Sequence, residues 1–209
     1  LKRKIKKVIV EFEEEFREKL LKDLKYKSLK VNYILYWPLF NMKEFDKKLP
    51  GKKLKKLRNI YNRYKNNPDL KIMSFQENLK PELKQLVLKW IKQRRNRKRT
   101  DYHFFINQIE NNLKGCDETR IILIKDKIVA LTAGWKIPNS KNYYSAIGVY
   151  DYAYNDIGEF ANIDDLINLK EKNYEWVDFG GSEEELLKFK EKFYYNKVYK
   201  TYIFSIVKP

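Results

Sequence analysis

The sequence predicts a mixed α/β (α+β) fold in which helices flank a mostly antiparallel sheet. Apolar residues at helical spacing alternate along the chain with short segments rich in β-branched and aromatic residues. Three strand segments between residues 119 and 152 follow one another directly, and polar turn sequences join them, which is typical of an antiparallel meander. A hydrophobic content of 43% in a chain of 209 residues is sufficient for a buried core.

The first 69 residues are expected to form an N-terminal extension to the main domain. Apolar residues recur at intervals of three and four between residues 3 and 25, which predicts an amphipathic helix there. A strand from Val31 to Trp37 is expected to stop at Pro38. A second helix, with a basic outer face, is expected to end near Pro68, which is the predicted domain boundary.

Residues 70–209 are expected to form the main domain. The predicted elements in order are a strand at 70–75, helices from 81 and at 102–113, strands at 119–124, 128–137 and 143–152, a helix at 160–171, a strand at 174–179, a helix at 183–193 and a strand at 199–206. Along the chain, helices and strands therefore occur both before and after the central meander.

The composition argues against several classes of protein. Aromatic residues make up 15% of the chain, which favours a folded domain over a disordered one. The single cysteine, Cys116, permits neither an internal disulfide nor a cysteine-based metal cluster, and no metal site is expected. No apolar run approaches the roughly 20 residues of a membrane span, and no signal peptide is evident. A cytoplasmic protein without a transmembrane segment is expected.

The charge balance predicts an anionic partner. The chain has 45 lysines and arginines against 28 acidic residues, a formal net charge of +17. Such a charge favours tRNA, other nucleic acids, anionic lipid surfaces or phosphorylated cofactors. The candidate nucleic-acid-binding residues are Lys52, Lys53, Lys55, Lys56, Arg58 and Arg63 in the basic helix, and Arg94, Arg95 and Arg97 at the end of the next helix. The apolar residues of the basic helix have helical spacing, so its lysines are expected on the outer face.

The clearest candidate site lies near the C-terminus, where an apolar strand leads into Asp178-Phe179-Gly180-Gly181. Two consecutive glycines permit positive φ and the close approach of a ligand, and a helix that carries Lys190 follows. The alternative interpretation is a tight strand-to-helix turn, with Asp178 capping local amides and Lys190 on a solvated helix face.

These residues resemble those of Fem-type peptidyltransferases, which move an amino acid from aminoacyl-tRNA to an amine. The matching positions are Asp178 to Gly181, followed by Phe189, Lys190 and Phe193. The order of elements over residues 70–206 resembles the GCN5-related N-acyltransferase fold. Residues 51–59 with Tyr64 resemble the entry to the C-terminal catalytic region of lysylphosphatidylglycerol synthases, so the resemblances together cover residues 31–206. Residues 1–69 would then be a truncated first copy of the fold.

The resemblance implies transfer of an aminoacyl group from charged tRNA to an unidentified amine or hydroxyl on a small molecule, peptide or lipid, with no cofactor beyond the tRNA. Lys190 is expected to contact the oxyanion or the terminal tRNA phosphate, with help from the amides of Gly180 and Gly181. Asp178 or a hydroxyl of the tRNA is expected to accept the proton. The candidate substrate-binding residues are Gly180, Gly181, Tyr143, Tyr144, Ser145 and Gly158.

Two alternatives to this function remain at the level of the sequence. An acyl-CoA N-acyltransferase of the same fold binds pyrophosphate at the start of the helix after the meander. Asp156 and Glu159 place two acids there, which opposes an anion and disfavours acetyl-CoA. The second alternative is a nucleic-acid-binding protein that keeps the fold without catalysis. His103, the only histidine, is expected to be a packed or surface residue rather than a catalyst.

Overall fold

The computed structural model describes residues 7–23, 27–94 and 101–207. Their contacts divide the chain into two compact units. The terminal unit contains the described residues up to Phe40 together with those from Phe179 onward, and the central unit is Asn41–Asp178. This division does not coincide with the predicted boundary near Pro68, because the first strands of the chain pair with its last strand.

The terminal unit is built on a small antiparallel sheet. Its elements are β1 (Lys7–Glu13), α1 (Glu14–Asp23), β2 (Lys27–Asn41), α6 (Glu184–Glu191) and β8 (Lys197–Val207). Strand β8 lies between β1 and β2 and runs antiparallel to both. The register aligns Val10 with Phe204 on one side and Leu35 with Thr201 on the other.

Two predictions for this unit are wrong. The helix predicted for residues 3–25 is a strand over Lys7–Glu13 and becomes helical only at Glu14. Strand β1 contains three consecutive β-branched residues, and each of its seven residues pairs with β8, so tertiary pairing prevails over the helical spacing. Strand β2 also continues through Pro38, which pairs with Val198 and accepts a hydrogen bond on its carbonyl from the Phe179 amide at 3.1 Å.

The central unit contains a five-stranded sheet. Its elements are α2 (Lys55–Lys65), β3 (Leu70–Met73), a 3-10 turn (Glu77–Leu79), α3 (Lys80–Gln93), α4 (Tyr102–Glu110), β4 (Glu118–Ile124), β5 (Lys127–Lys136), β6 (Asn142–Tyr150), α5 (Ile157–Glu171) and β7 (Trp176–Asp178). The strand order is β7-β6-β5-β4-β3, and only the β6–β7 pair is parallel. The predicted antiparallel meander and the mixed α/β fold class are confirmed.

Helices cover both faces of this sheet. Helices α3 and α4 pack on the face that includes Leu131 and Ile147, with Trp90 among the buried residues. Helices α2 and α5 pack on the opposite face around Phe160 and Ala130. Because side chains alternate along a strand, β4 and β5 contribute to both cores. The second of these cores fixes α2 beside α5.

The parallel strands β6 and β7 pair over a short distance only. Their pairs are Asn142↔Trp176, Tyr143↔Val177 and Tyr144↔Asp178, whereas β6 continues to Tyr150. All three residues of β7 are paired, so the fork between the two strands is the point where β7 ends and β6 continues, and Ser145 is the first residue of β6 beyond the last pair.

Candidate functional site

A pocket of about 550 Å³ lies at the start of α2. Its lining residues are Lys52, Lys53, Lys55, Lys56, Asn59, Ile60, Arg63 and Asp156. The four lysines are exposed on the outer face of the helix and on the loop before it. The lining thus combines five cationic side chains with one acidic side chain, which makes the pocket suitable for an anionic ligand.

Aromatic packing holds the basic helix in place. The Tyr64 ring stacks on Phe160 of α5 with centroids 4.7 Å apart, and the Tyr61 ring lies 5.8 Å from the same residue. The Tyr64 hydroxyl also donates a hydrogen bond of 2.6 Å to the Asn155 carbonyl. Burial raises the pKa of Tyr64, so this hydroxyl keeps its proton. The apolar face of α2 is consequently anchored beside the start of α5, and its lysines face outward.

The polar contacts at the mouth of the pocket neutralise its only acid. Arg63 pairs with Asp156 at 2.8 Å and also donates to the Asn155 carbonyl at 3.2 Å. The hydrogen bond to Asp156 raises the pKa of Arg63. Glu159 is buried in the first turn of α5, with 9% of its surface exposed, and does not line the pocket. Arg63 therefore offsets the charge of Asp156, and the expectation that these two acids disfavour an anion stays a prediction.

Arg58 has a different role from the lysines around it. Its guanidinium donates to the carbonyls of Leu49 and of Gly51, the latter at 3.3 Å. Both residues have positive φ, 49° for Leu49 and 78° for Gly51, so the loop has a tight bend there. Arg58 thus stabilises the loop that carries Lys52, and its contact with nucleic acid stays a prediction.

The start of α2 adds a partial positive charge to the same pocket. Leu54, at the N-cap, supplies no side-chain acceptor, and the first turn contains no acid. The positive end of the helix dipole is therefore not offset locally, which favours an anion near Lys55 and Lys56.

The second basic cluster is only partly described. The Arg94 guanidinium lies over the Trp90 ring, 4.6 Å from its centroid, at the end of α3. Arg95 and Arg97 lie outside the described residues. The single histidine, His103, is exposed on α4 and stacks on Tyr102 with centroids 4.1 Å apart, in agreement with a surface position.

Packing against β2 explains the glycine pair near the C-terminus. Gly180 has a φ of 77°, which a side chain would disfavour. A Cβ atom on Gly181 would lie 2.9 Å from the Leu35 Cδ1 atom and 2.9 Å from the Trp37 Cζ2 atom. Ser182 then exchanges two backbone hydrogen bonds with Tyr36, at 2.8 and 2.9 Å. The second glycine is therefore needed for close contact with β2, whether or not a ligand approaches the turn.

Lys190 is buried, with 8% of its surface exposed. Its ammonium group donates hydrogen bonds to the carbonyls of Phe179 and Gly180, the latter at 3.0 Å. The neighbouring Lys188 and Lys192 are exposed, as the helical geometry of α6 predicts. The alternative that placed Lys190 on a solvated helix face is wrong. Its catalytic role stays a prediction, and the structure adds a positional role in holding the turn.

The remaining candidate substrate residues differ in accessibility. Tyr143 is fully buried, and its ring packs 5.0 Å from Tyr174, so this side chain belongs to the core and does not line an open cleft. Tyr144 and Ser145 are half-buried at the fork between β6 and β7. Asp178 is buried at the end of β7, where it pairs with Tyr144.

Gly158 lies in the first turn of α5 and is also buried. Its carbonyl accepts a hydrogen bond of 2.7 Å from the Asn162 amide. Gly158 therefore contributes to the interior of the helix start, and any contact with substrate stays a prediction.

A buried acidic pair on α5 was missed in the sequence. Asp164 and Asp165 are 6% and 1% exposed. Arg120 of β4 forms an ion pair with Asp164, whereas the Ser145 hydroxyl donates to Asp165 at 3.1 Å. Burial raises the pKa of Asp165 to about 7. Two acids within the apolar segment from Phe160 to Leu166 were the available sequence signal, since carboxylates are rarely buried without a reason.

Within residues 7–23, 27–94 and 101–207, no group of three or more potential metal ligands comes together. No helix in the same ranges is long and apolar enough to cross a membrane.

Comparison with known protein families gives one match that covers nearly the whole chain. The model of the family described as phosphatidylglycerol lysyltransferase, C-terminal, matches residues 4–203. A comparison with curated proteins finds no match.

Solved structures show the same fold at low sequence identity. A conserved protein of unknown function from Bacteroides thetaiotaomicron has 19% identity and a TM-score of 0.69, covering 96% of this chain and 69% of that chain. The structure of L-PGS from Bacillus licheniformis has 18% identity and a TM-score of 0.68, covering 97% and 68%. A GCN5-related N-acetyltransferase from Sphaerobacter thermophilus has 9% identity and a TM-score of 0.53, covering 98% and 61%.

Proposed function

This chain belongs to the phosphatidylglycerol lysyltransferase C-terminal family, and we propose that it transfers an aminoacyl group from aminoacyl-tRNA to an amine or hydroxyl acceptor. The family and the GCN5-related N-acyltransferase fold support acyl transfer as the class of reaction. The resemblance to the lysylphosphatidylglycerol synthases is thereby confirmed, whereas the resemblance to Fem-type enzymes stays a prediction.

The cationic pocket at the start of α2 is the observation that supports a tRNA donor. Its four lysines and Arg63 surround a volume of about 550 Å³, large enough for phosphate groups of a nucleic-acid end. Clustered lysines bind phosphates mainly by releasing counterions, which gives affinity without base specificity. Binding of this kind suits a tRNA donor that the protein recognises through its sugar-phosphate backbone. The reacting ester is then held by another part of the protein.

The proposed reaction requires stabilisation of a tetrahedral oxyanion. An acceptor nitrogen or oxygen attacks the ester carbonyl, and charge develops on the carbonyl oxygen. Lys190 holds the carbonyls of Phe179 and Gly180, so it fixes the peptide groups of the turn. We expect the turn amides, oriented in this way, to meet the developing charge, with the buried ammonium adding a favourable field.

The acceptor is proposed only as a class. The family name refers to phosphatidylglycerol, a lipid that carries hydroxyl groups. A lipid hydroxyl is therefore the first acceptor to test, and amines of peptides or small molecules come second.

An acyl-CoA donor is the second candidate, and one observation favours it. Asp156 is paired with Arg63, which weakens the repulsion of a pyrophosphate that the sequence suggests at the start of α5. The five cations of the pocket suit the phosphates of CoA as well as those of tRNA. The charge argument against CoA is consequently weaker but still holds for Glu159, in the first turn of α5, and a binding experiment separates the two donors.

Thermal unfolding with each donor tests the proposal. A ligand that binds the folded state alone raises the melting temperature by mass action. We expect aminoacyl-tRNA and free tRNA to raise the melting temperature, and acetyl-CoA to leave it unchanged. Stabilisation by acetyl-CoA but not by tRNA would replace the first candidate with the second. A transfer assay with labelled aminoacyl-tRNA and phosphatidylglycerol vesicles then tests the acceptor.

A further inference from the structure

The fork between β6 and β7 contains a polar connection to the core of the central unit. Ser145 follows the last paired residue, Tyr144, and its side chain is half-buried. The Ser145 hydroxyl donates a hydrogen bond of 3.1 Å to Oδ2 of Asp165, which is 1% exposed on α5. The hydroxyl thus links the fork to a carboxyl group that solvent does not reach.

Within the described part of the chain, no ion pair is formed by Asp165 itself. Arg120, whose charge acts on Asp165, forms its ion pair with Asp164. The Oδ1 atom of Asp165 and the hydroxyl of Tyr143 are both buried without a hydrogen-bond partner in the described part of the chain. The groups that face Asp165 are Arg120 from β4, Thr132 from β5, Ser145, Tyr143 and Tyr150 from β6, and Asp164 from α5.

This environment places the titration of Asp165 close to neutral pH. Burial raises its pKa to about 7, while the Ser145 hydrogen bond and the Arg120 charge oppose that rise and the Asp164 charge adds to it. A group that ionises near the working pH is able both to accept and to release a proton.

A purely structural role explains the carboxyl group poorly. An amide would make the same hydrogen bond to Ser145 without the free-energy cost of burying an ionisable group. The same helix uses an amide in this way three residues earlier, where Asn162 donates to the Tyr150 hydroxyl at 2.9 Å and to the Gly158 carbonyl at 2.7 Å. The carboxyl of Asp165 therefore calls for a chemical explanation.

We propose that Ser145 and Asp165 form the proton relay of the transfer reaction, an inference that rests on the proposed function. The Ser145 oxygen takes a proton from the attacking amine or hydroxyl and passes its own proton to Asp165. The acceptor forms a bond to the carbonyl carbon, and the bond from that carbon to the ribose oxygen of tRNA breaks. The proton returns through Ser145 to the ribose oxygen, so the relay ends in its initial state.

Single-turnover kinetics tests the relay. Labelled aminoacyl-tRNA reacts with hydroxylamine as a generic acceptor between about pH 5 and pH 9, with a blank that lacks protein. After division by the fraction of hydroxylamine present as free base, the wild-type rate should rise with pH through an apparent pKa of about 7, because ionised Asp165 is the proton acceptor. Asp165→Asn should lower the rate by at least about a hundredfold and remove this rise. Ser145→Ala should also be slow, and Ser145→Thr should restore the rate because it restores the hydroxyl.

The pH dependence of unfolding provides a readout without catalysis. The pKa of Asp165 is raised from 3.8 to about 7 in the folded state, so its ionisation opposes folding. The wild type should lose stability relative to Asp165→Asn as pH rises from about 4 to 7, with no further relative change above that range. Ser145→Ala should extend this loss to higher pH, since the hydrogen bond that lowers the pKa is gone.

The outcomes separate the two proposals. A wild type that binds charged tRNA but never transfers its label contradicts the proposed function, and the relay with it. A wild type that transfers, with an Asp165→Asn variant that keeps the same rate and pH profile, contradicts the relay alone. If Asp165→Asn does not fold, Ser145→Ala decides, and an unchanged rate in that variant overturns the relay.

Discussion

The lysines around the pocket at the start of α2 and the buried Lys190 show how one residue type takes two roles in the same protein. Lys52 and Lys55 are exposed around a pocket, with their charges available to a ligand. Lys190 is 8% exposed, and its ammonium donates to the carbonyls of the glycine turn. Exposed charges are screened by water and salt and act as a group, whereas a buried charge is screened less and acts strongly on the groups around it. Binding should therefore be distributed over α2, and catalysis should depend on single residues such as Lys190.

Substitution of Lys190 gives the largest expected effect. Lys190→Met should lower the transfer rate by about two to three orders of magnitude, since it removes the charge and the group that orients the turn. It should also cost about 1–3 kcal/mol of stability, because the buried Phe179 carbonyl loses a donor and the Gly180 carbonyl keeps only that from the Ser182 hydroxyl. Affinity for tRNA should change little. Single-turnover rates, chemical denaturation and binding titrations check the three effects.

The controls are the two exposed lysines on either side of Lys190, Lys188 on α6 and Lys192 at its C-terminal end. Lys188→Met and Lys192→Met remove the same charge without touching the turn. If all three variants transfer at the same rate, the buried lysine has no special role and the distinction between the two regions fails.

Substitution at Gly181 tests the packing of the turn. Gly181→Ala should destabilise the protein by about 1–3 kcal/mol, because the added methyl group meets Leu35 and Trp37 at 2.9 Å. Urea unfolding measures this cost. The same substitution in a Leu35→Ala background should cost less, because one of the two obstacles is gone. Equal costs in both backgrounds would show that the turn is not packed against β2.

The anchor of the basic helix gives a smaller effect. Tyr64→Phe keeps the stack on Phe160 and loses the hydrogen bond to the Asn155 carbonyl, which should cost about 1 kcal/mol. Tyr61→Phe is the matched control, since its ring packs on the same phenylalanine. A larger loss of stability in the control than in Tyr64→Phe would contradict the anchoring role of the Tyr64 hydroxyl.

The ion pair at the mouth of the pocket has the smallest expected effect on stability. Asp156→Asn removes the partner of Arg63, and an exposed pair of this kind is worth less than about 1 kcal/mol. The pocket becomes more cationic, so affinity for tRNA should rise slightly at low salt. Weaker tRNA binding by this variant would indicate that the pair positions Arg63 for the ligand.

The sequence predicted most elements of the central unit because their signals are local. Alternating residues and turn sequences define β4, β5 and β6, and helical spacing with an unopposed basic face defines α2. Strand β1 was missed because its partner, β8, lies at the other end of the chain. Local periodicity cannot report a pairing between such distant segments.

The candidate site was likewise predictable where its signals are local, and not where they depend on tertiary contacts. The cluster of lysines in α2 and the prominence of Lys190 follow directly from the sequence. The contacts that decide the roles of these basic residues do not follow from the sequence. Arg63 pairs with Asp156, and Lys190 donates to the Gly180 carbonyl, only in the folded protein. Asp165 was missed because its burial depends on how α5 packs in the folded protein, which local sequence does not show.

The salt dependence of tRNA binding tests the central claim most directly. Affinity of the wild type is measured from about 50 to 200 mM salt beside a variant in which Lys52, Lys53, Lys55 and Lys56 are glutamate. A variant with Lys188→Glu and Lys192→Glu controls for surface charge on another helix. The wild type should show a log-log slope of several units, and the four-lysine variant should lose about three of them, with the control close to the wild type. A wild-type affinity independent of salt, or equal slopes in the wild type and the four-lysine variant, would contradict the assignment of the α2 pocket to tRNA.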